Sequence, residues 1–201
     1  MHPNSAFRWE DRDALRSFAR EIGFGTVFAA TPDGPRVAHV PFVFLDEDRI
    51  GFHLARGNAL VRHLDGSEAL FVVNGPDAYI SPDWYGLDAD QVPTWNYLAL
   101  EMEGPVRRMS DDELTAQVDA LSAEQEARLT PKAPWTRHKM AEGVFDKLHR
   151  AICGFDMRIA AWRGTAKLGQ NKPETARTRV ADALEARGQR AFAHLLRELG
   201  A

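Results

Sequence analysis

The 201-residue chain is 44% hydrophobic and 27% charged, with a formal charge of -4. These are the values of an ordinary globular protein, and they exclude a disulfide scaffold, a collagen-like chain and a disordered tail. The single cysteine, Cys153, can form no internal bridge. The longest apolar runs, such as PFVFL at 41 to 45, are far short of the ~20 residues of a bilayer crossing, and MHPNSAFRWEDRD lacks a basic stretch followed by an apolar one. The expectation is a cytoplasmic protein with no membrane partner.

In chain order, Leu15, Phe18, Ala19 and Ile22 repeat at helical spacing and predict a helix over 11 to 22, stopped by Gly23 and Gly25. The period then becomes strand-like through FGTVFAAT, RVAHVPFVFL, RIGFHLA and ALFVVNG, between 24 and 75. Pro32, Asp33 and Gly34 mark one turn, and Asp46, Glu47 and Asp48 a second. Short turns between consecutive strands describe an antiparallel meander and disfavour a Rossmann domain, for which no G-x-G-x-x-G is present. Residues 76 to 97 read as a loop too aromatic to be merely solvated, with Tyr79, Trp84, Tyr85, Trp95 and Tyr97 among Pro, Gly, Ser and Asp. Such loops lie over the core or over a ligand.

Beyond Met109, Ser110 and Glu113 form a capping-box pattern with Leu114, Val118 and Leu121 as the apolar stripe, and Ser122 with Gln125 suggests a second helix start. A further helix is predicted over 140 to 151, a last strand over 154 to 162, and a two-helix tail at about 174 to 199 broken at Gly188. No linker or repeat divides the chain, so the expectation is a single domain over 1 to 201 with that helical tail. From residue 163 onward eight Lys or Arg face four acidic residues. A solvated mixed-charge helical face accounts for this more readily than a nucleic-acid surface, since apolar Val180, Leu184, Phe192, Leu195, Leu196 and Leu199 read as docking residues.

No H-x-H, H-E-x-x-H, P-loop or G-x-S-x-G occurs, so no metal site is expected and hydrolase or NTPase chemistry has no anchor. In its apolar context Cys153 reads as a small buried residue. His53, Arg56 and Asn58 could supply an imidazole, a guanidinium and an amide to one phosphate, or could simply end a strand in solvent. Trp84, Trp95 and Tyr97 could stack on a planar cofactor whose polar edge Thr94 and Asn96 could bond, or could only close a barrel. Lys167, Gln170 and Asn171 form a third polar cluster, suited to an anionic ring or phosphate or to a solvated turn. No general acid or base is assigned, although His39 and Tyr97 are available.

Five strings, HVPF at 39 to 42, FHLARGN at 52 to 58, GPDAYISPDWYG at 75 to 86, VPTWNY at 92 to 97 and KLGQNK at 167 to 172, closely resemble the PaiB-type family of FMN-binding negative transcriptional regulators. The resemblance implies an α+β fold: an antiparallel split β-barrel of the pyridoxamine-phosphate-oxidase type, with flanking helices. It also implies FMN as cofactor and a homodimer with flavin in the interface. Carried over by position, it makes His53, Arg56 and Asn58 candidates for the flavin phosphate, Thr94, Trp95 and Asn96 for the ring system, and Lys167 and Gln170 for the C-terminal cofactor motif. The family's K-L-S-Q-N reads K-L-G-Q-N here, with Gly169 in place of the serine. Two functions follow from the resemblance and the pocket residues: a flavin-binding regulator, in which direct DNA contact is left open, and an FMN-dependent oxidoreductase acting on a small molecule.

Overall fold

The computed structural model describes residues 2–87 and 90–198. Its elements are β1 (Arg8–Trp9), α1 (Arg12–Ile22), β2 (Phe24–Thr31), β3 (Gly34–Phe44), β4 (Arg49–Ala55), β5 (Glu68–Ile80), β6 (Thr94–Arg108), α2 (Asp111–Ala127), α3 (Val144–His149), β7 (Ile152–Arg158), β8 (Ala161–Lys167), α4 (Glu174–Ala186) and α5 (Arg190–Glu198). The strands lie in the order β1-β8-β6-β5-β2-β3-β4-β7, and a further β6–β7 pairing joins the two ends of a six-strand run. The pairings β1–β8, β2–β3, β2–β5, β3–β4, β4–β7 and β6–β7 are antiparallel. This is an α+β fold built on an antiparallel split β-barrel. Among the described residues, no helix is long and apolar enough to cross a membrane.

Local chemistry accounts for the helix ends. The Asp11 carboxylate accepts from the Ala14 amide at 3.0 Å and opens α1. The Ser110 hydroxyl accepts from the Glu113 amide at 3.3 Å while the Glu113 carboxylate accepts from the Ser110 amide at 2.8 Å, completing the predicted capping box of α2. Between β2 and β3, Thr31 stands opposite Gly34, so the predicted turn at 32 and 33 is tight.

Several expectations are corrected. Residues 76 to 97 are not one loop: β5 runs on to Ile80 and β6 begins at Thr94. The 15-residue β6 is an unexpected strand, and Asn96, Leu98, Leu100, Met102, Gly104 and Val106 alternate as its buried face. Charged Glu101 and Glu103 fall on the alternate positions, which dilutes the apolar signal. α2 continues through Ser122 without a second start, because Leu121 and Gln117 keep one buried face. The helix expected over 140 to 151 shrinks to α3, and the expected last strand divides into β7 and β8. The tail helices are as read, with Gly188 in the left-handed region at φ 82° between them. Leu199 lies outside the described residues.

The chain falls into two compact units, one of residues 1–15, 74–100 and 163–201 (unit 1) and one of residues 16–73 and 101–162 (unit 2). In unit 2 the core is aromatic: Phe71 meets Phe42 edge-on with ring centroids 5.0 Å apart and Phe52 at 5.7 Å, and Phe52 stacks on Phe155 at 6.0 Å. These four rings are almost completely buried. In unit 1, Val180, Ala181 and Leu184 of α4 and Phe192, Ala193 and Leu196 of α5 are buried, so the helical tail is a docked hairpin. Arg179 of α4 donates to the Gly86 carbonyl at 3.1 Å, and Arg187 lies over the Trp84 ring at 5.9 Å.

Unit 2 also carries an acid-sensitive clasp. Arg107 at the end of β6 donates to both Glu113 oxygens, at 3.0 and 2.9 Å, and to the buried Asp156 carboxylate of β7. The Arg107 guanidinium is the main reason the Glu113 carboxyl titrates at about 2, against an ordinary 4.5. A folded-state value below the unfolded one means that stability is present above the unfolded pKa and is lost as pH falls through the folded one. The Glu113 contribution should therefore fade between pH 4.5 and about 2. Acid titrations of the melting temperature should be flatter over that window in Glu113→Gln than in the parent.

Candidate functional site

Alternation along β6 decides which of the motif side chains converge. Thr94 and Asn96 point to one side of the strand and Trp95 to the other, where it is 56% exposed and meets Tyr79 edge-on at 6.1 Å. On the Asn96 side, unit 1 holds a cavity of about 260 Å³. Thr94 and Asn96 reach it from β6, Lys167 from the end of β8, and Gly169, Asn171 and Lys172 from the turn that follows. Asn4 and Phe7 of the N-terminal turn, Tyr85 of the short 3-10 turn Pro82–Tyr85, and the segment 90 to 92 complete the wall.

The cavity is polar and short of partners. Lys167 Nζ donates to Thr94 Oγ1 at 2.5 Å and stands 6.0 Å above the centre of the Phe7 ring. Burial pushes its ammonium below the usual lysine pKa, and among the described residues no carboxylate pairs with it. Asn96 is 3% exposed, and its side-chain amide makes no hydrogen bond among the described residues. The amide is not among the fully enclosed polar atoms, so it is open to a ligand or an ordered water.

Gln170 supports the site from behind. Its amide donates to the Ala166 carbonyl at 2.5 Å and its oxygen accepts from the Leu168 amide at 2.8 Å, closing the turn that carries Lys167 into the cavity. Gly169 lies in that turn at φ 73°, a left-handed conformation a serine adopts only with strain, which gives the glycine in K-L-G-Q-N a backbone reason. A side chain begun there would still find open space, with its nearest neighbour, Asn96 Nδ2, at 3.6 Å.

The other three expected residues lie in unit 2 and do not line this cavity. Arg56 donates to the Arg150 carbonyl at 2.7 Å and the Ile152 carbonyl at 3.1 Å, holding the entry to β7. Asn58 caps a 3-10 turn by accepting from the Leu60 amide at 3.0 Å. His53 Nδ1 is 3.1 Å from Gln117 Oε1, and burial, against the opposing Gln117 bond, keeps its imidazole below the usual histidine pKa. Cys153 is buried, with Arg108 Nη2 at 3.1 Å from its sulfur. Available His39 is exposed, bonded to Thr26 Oγ1 at 2.9 Å.

Two residues of the cavity, Tyr85 and Lys172, were not singled out as ligands by sequence. Both fall within the strings that carried the resemblance, but a string does not say which of its aromatic or basic members turns inward.

An antiparallel split barrel with a cavity of ammonium, amide and aromatic groups is suited to a flavin-binding protein. Residues 1–161 match the family described as "Putative FMN-binding domain". The chain belongs to this FMN-binding family, and FMN is its cofactor. It is 30% identical over 189 residues to the Protease synthase and sporulation protein PAI 2 of Bacillus subtilis, covering 92% of this chain and 89% of that one. Its fold is similar to the FAD and heme binding protein of Mycobacterium smegmatis (TM-score 0.57, 19% identity, 81% of this chain and 74% of that one). It is also similar to the flavocytochrome Anf3 of Azotobacter vinelandii (TM-score 0.58, 16% identity, 83% and 72%).

The unit 1 residues fit such a group. The Asn96 amide suits the carbonyl and nitrogen edge of a flavin ring, Phe7 offers apolar surface, and Lys167 offers a cation to an anionic ring or phosphate. When bound, FMN supplies electron-transfer chemistry.

Proposed function

We propose that this protein is a PaiB-type flavin protein in which Thr94, Asn96 and Lys167 hold FMN, and that any effect it has on transcription runs through the flavin and not through direct DNA contact. The observation that carries this reading is Asn96, a residue 3% exposed whose amide has no partner among the described residues, beside a Lys167 ammonium with which no described carboxylate pairs. In this reading Asn96 orients the ring edge, Thr94 holds the Lys167 ammonium in place, and Lys167 stabilises negative charge.

The basic tail supports the indirect route. Arg197 is tied to Asp182 and Glu185 at 2.8 and 2.7 Å, Arg177 to the Lys172 carbonyl at 3.3 Å, and Arg179 and Arg187 to the 84 to 86 turn. These cations serve internal contacts, whereas DNA binding draws its affinity from cations offered to phosphates.

A homodimer, with the protein in the cytoplasm, is part of the reading. In unit 2 the outer face of β2 and β3 leaves Phe24 52% and Val37 47% exposed, with Phe28 and Leu70 beside them, an apolar surface suited to a second copy. A monomer in sedimentation at micromolar concentration would remove this part.

The test is optical. Full-length protein incubated with FMN and freed of excess should keep the yellow flavin band. Colourless protein that leaves FMN fluorescence unquenched overturns the proposal. A DNA affinity that falls steeply with salt and disappears in Arg187→Ala/Arg190→Ala would overturn the indirect route. Turnover of the FMN-loaded protein with NADPH, NADH or deazaflavin and a small acceptor would favour the oxidoreductase reading.

A further inference from the structure

Part of the unit 1 cavity is not used by the residues assigned to the flavin. Tyr85 lines it, is 4% exposed, and its hydroxyl makes no hydrogen bond among the described residues. That hydroxyl is also not among the fully enclosed polar atoms without a partner. Lys172 Nζ stands 5.1 Å above the centre of the Tyr85 ring and donates to Gln91 Oε1 at 2.5 Å. No carboxylate among the described residues forms an ion pair with Lys172, although Asp90 is also on the cavity wall. The ammonium is thus held in place by an aromatic face and an amide, which fix its position without neutralising its charge. A half-buried cation that no described carboxylate pairs with, and a buried phenol without a described acceptor, share one cavity and are complementary to an oxyanion.

We propose that Lys172 and Tyr85 form an oxyanion subsite that takes the phosphoryl or carboxylate group of a ligand. The subsite shares the cavity of the proposed flavin site but rests on different side chains. The two sources of such a group are the phosphate of FMN and a separate small acid bound beside the flavin. Lys172 supplies the charge and Tyr85 a directional hydrogen bond. Burial raises the Tyr85 hydroxyl above its ordinary pKa, so it is a donor at neutral pH.

The probe is inorganic phosphate, titrated calorimetrically into the full chain with and without FMN. Saturable binding is expected for the flavin-free parent, weakened about tenfold or more in Lys172→Met, less in Tyr85→Phe, and kept in Lys172→Arg. Retention in the arginine variant shows that loss in the methionine variant is not loss of fold. If the group is the phosphate of FMN, FMN displaces inorganic phosphate and riboflavin does not, and Lys172→Met lowers affinity for FMN alone. If it belongs to a second molecule, the FMN-loaded protein still binds phosphate and Lys172→Met leaves FMN affinity unchanged. Either pattern supports the subsite. Absence of saturable phosphate binding in the parent, or equal binding in the parent and Lys172→Met, overturns it. A parent that binds neither FMN nor riboflavin refutes the flavin assignment alone, because the phosphate titration of the flavin-free protein still decides the subsite.

Discussion

Replacing Lys167 by methionine should weaken FMN binding by about ten- to hundredfold, the range of a charge-assisted hydrogen bond worth roughly 1.5–3 kcal/mol. Methionine keeps much of the length and the apolar contact with Phe7 but removes the ammonium that Thr94 holds in the cavity. Because burial already lowers the Lys167 pKa, FMN affinity in the parent should fall as pH rises through that lowered value, at less alkaline pH than an exposed lysine would require. The pH dependence should vanish in the variant. Trp95→Phe should leave affinity nearly unchanged, since Trp95 stands on the opposite face of β6. Fluorescence titration of FMN against the three proteins measures all of this, and an unaltered affinity in Lys167→Met would remove Lys167 from the site.

The largest stability loss is expected at Phe71. Its ring is completely buried, touches Phe42 and Phe52, and its Cε1 would lie 2.3 Å from a Cβ at Gly25, so the strand opposite has been kept bare to admit it. Phe71→Ala leaves a cavity that neighbouring rings cannot fill, and losses of about 3–5 kcal/mol are typical of such a change. For a chain of this length that corresponds to a melting temperature lower by about 6 to 20 °C. Leu129→Ala, at a side chain 52% exposed, should change stability by no more than about 0.5 kcal/mol. Calorimetry of the two variants beside the parent tests the contrast. Similar melting points would mean that the four phenylalanines do not form the core described.

Much of this molecule can be read from short-range pattern. Apolar spacing marks α1, period two marks β2 to β4, the 32 to 34 and 46 to 48 turns are spelled in turn residues, and Ser110 with Glu113 announces α2. Each of these depends on neighbours within about one helical turn or one hairpin, where backbone propensity and side-chain capping act directly. The long, specific strings at 75 to 86 and 92 to 97 likewise fall within the family match over residues 1–161.

Tertiary structure alone decided which side chains of those strings line one cavity. β6 is stabilised by partners distant in sequence, so its alternating face was obscured by the glutamates on the other side. Once it forms, the pleat turns Asn96 inward and Trp95 outward, although the two are adjacent and both had been candidates for the flavin ring. Arg56 and Asn58 show the same limit: residue type suits them to a phosphate but does not reveal that Arg56 Nε and Nη2 and Asn58 Oδ1 bond backbone groups of unit 2. A length of 201 residues and a charge of -4 say nothing of a site. The cationic cavity exists because β8 and its following turn carry Lys167 and Lys172 to Thr94, Gln91 and Tyr85, more than 70 residues earlier in the chain. Sequence alone supplied the residue types; long-range strand pairing and side-chain direction supplied their arrangement.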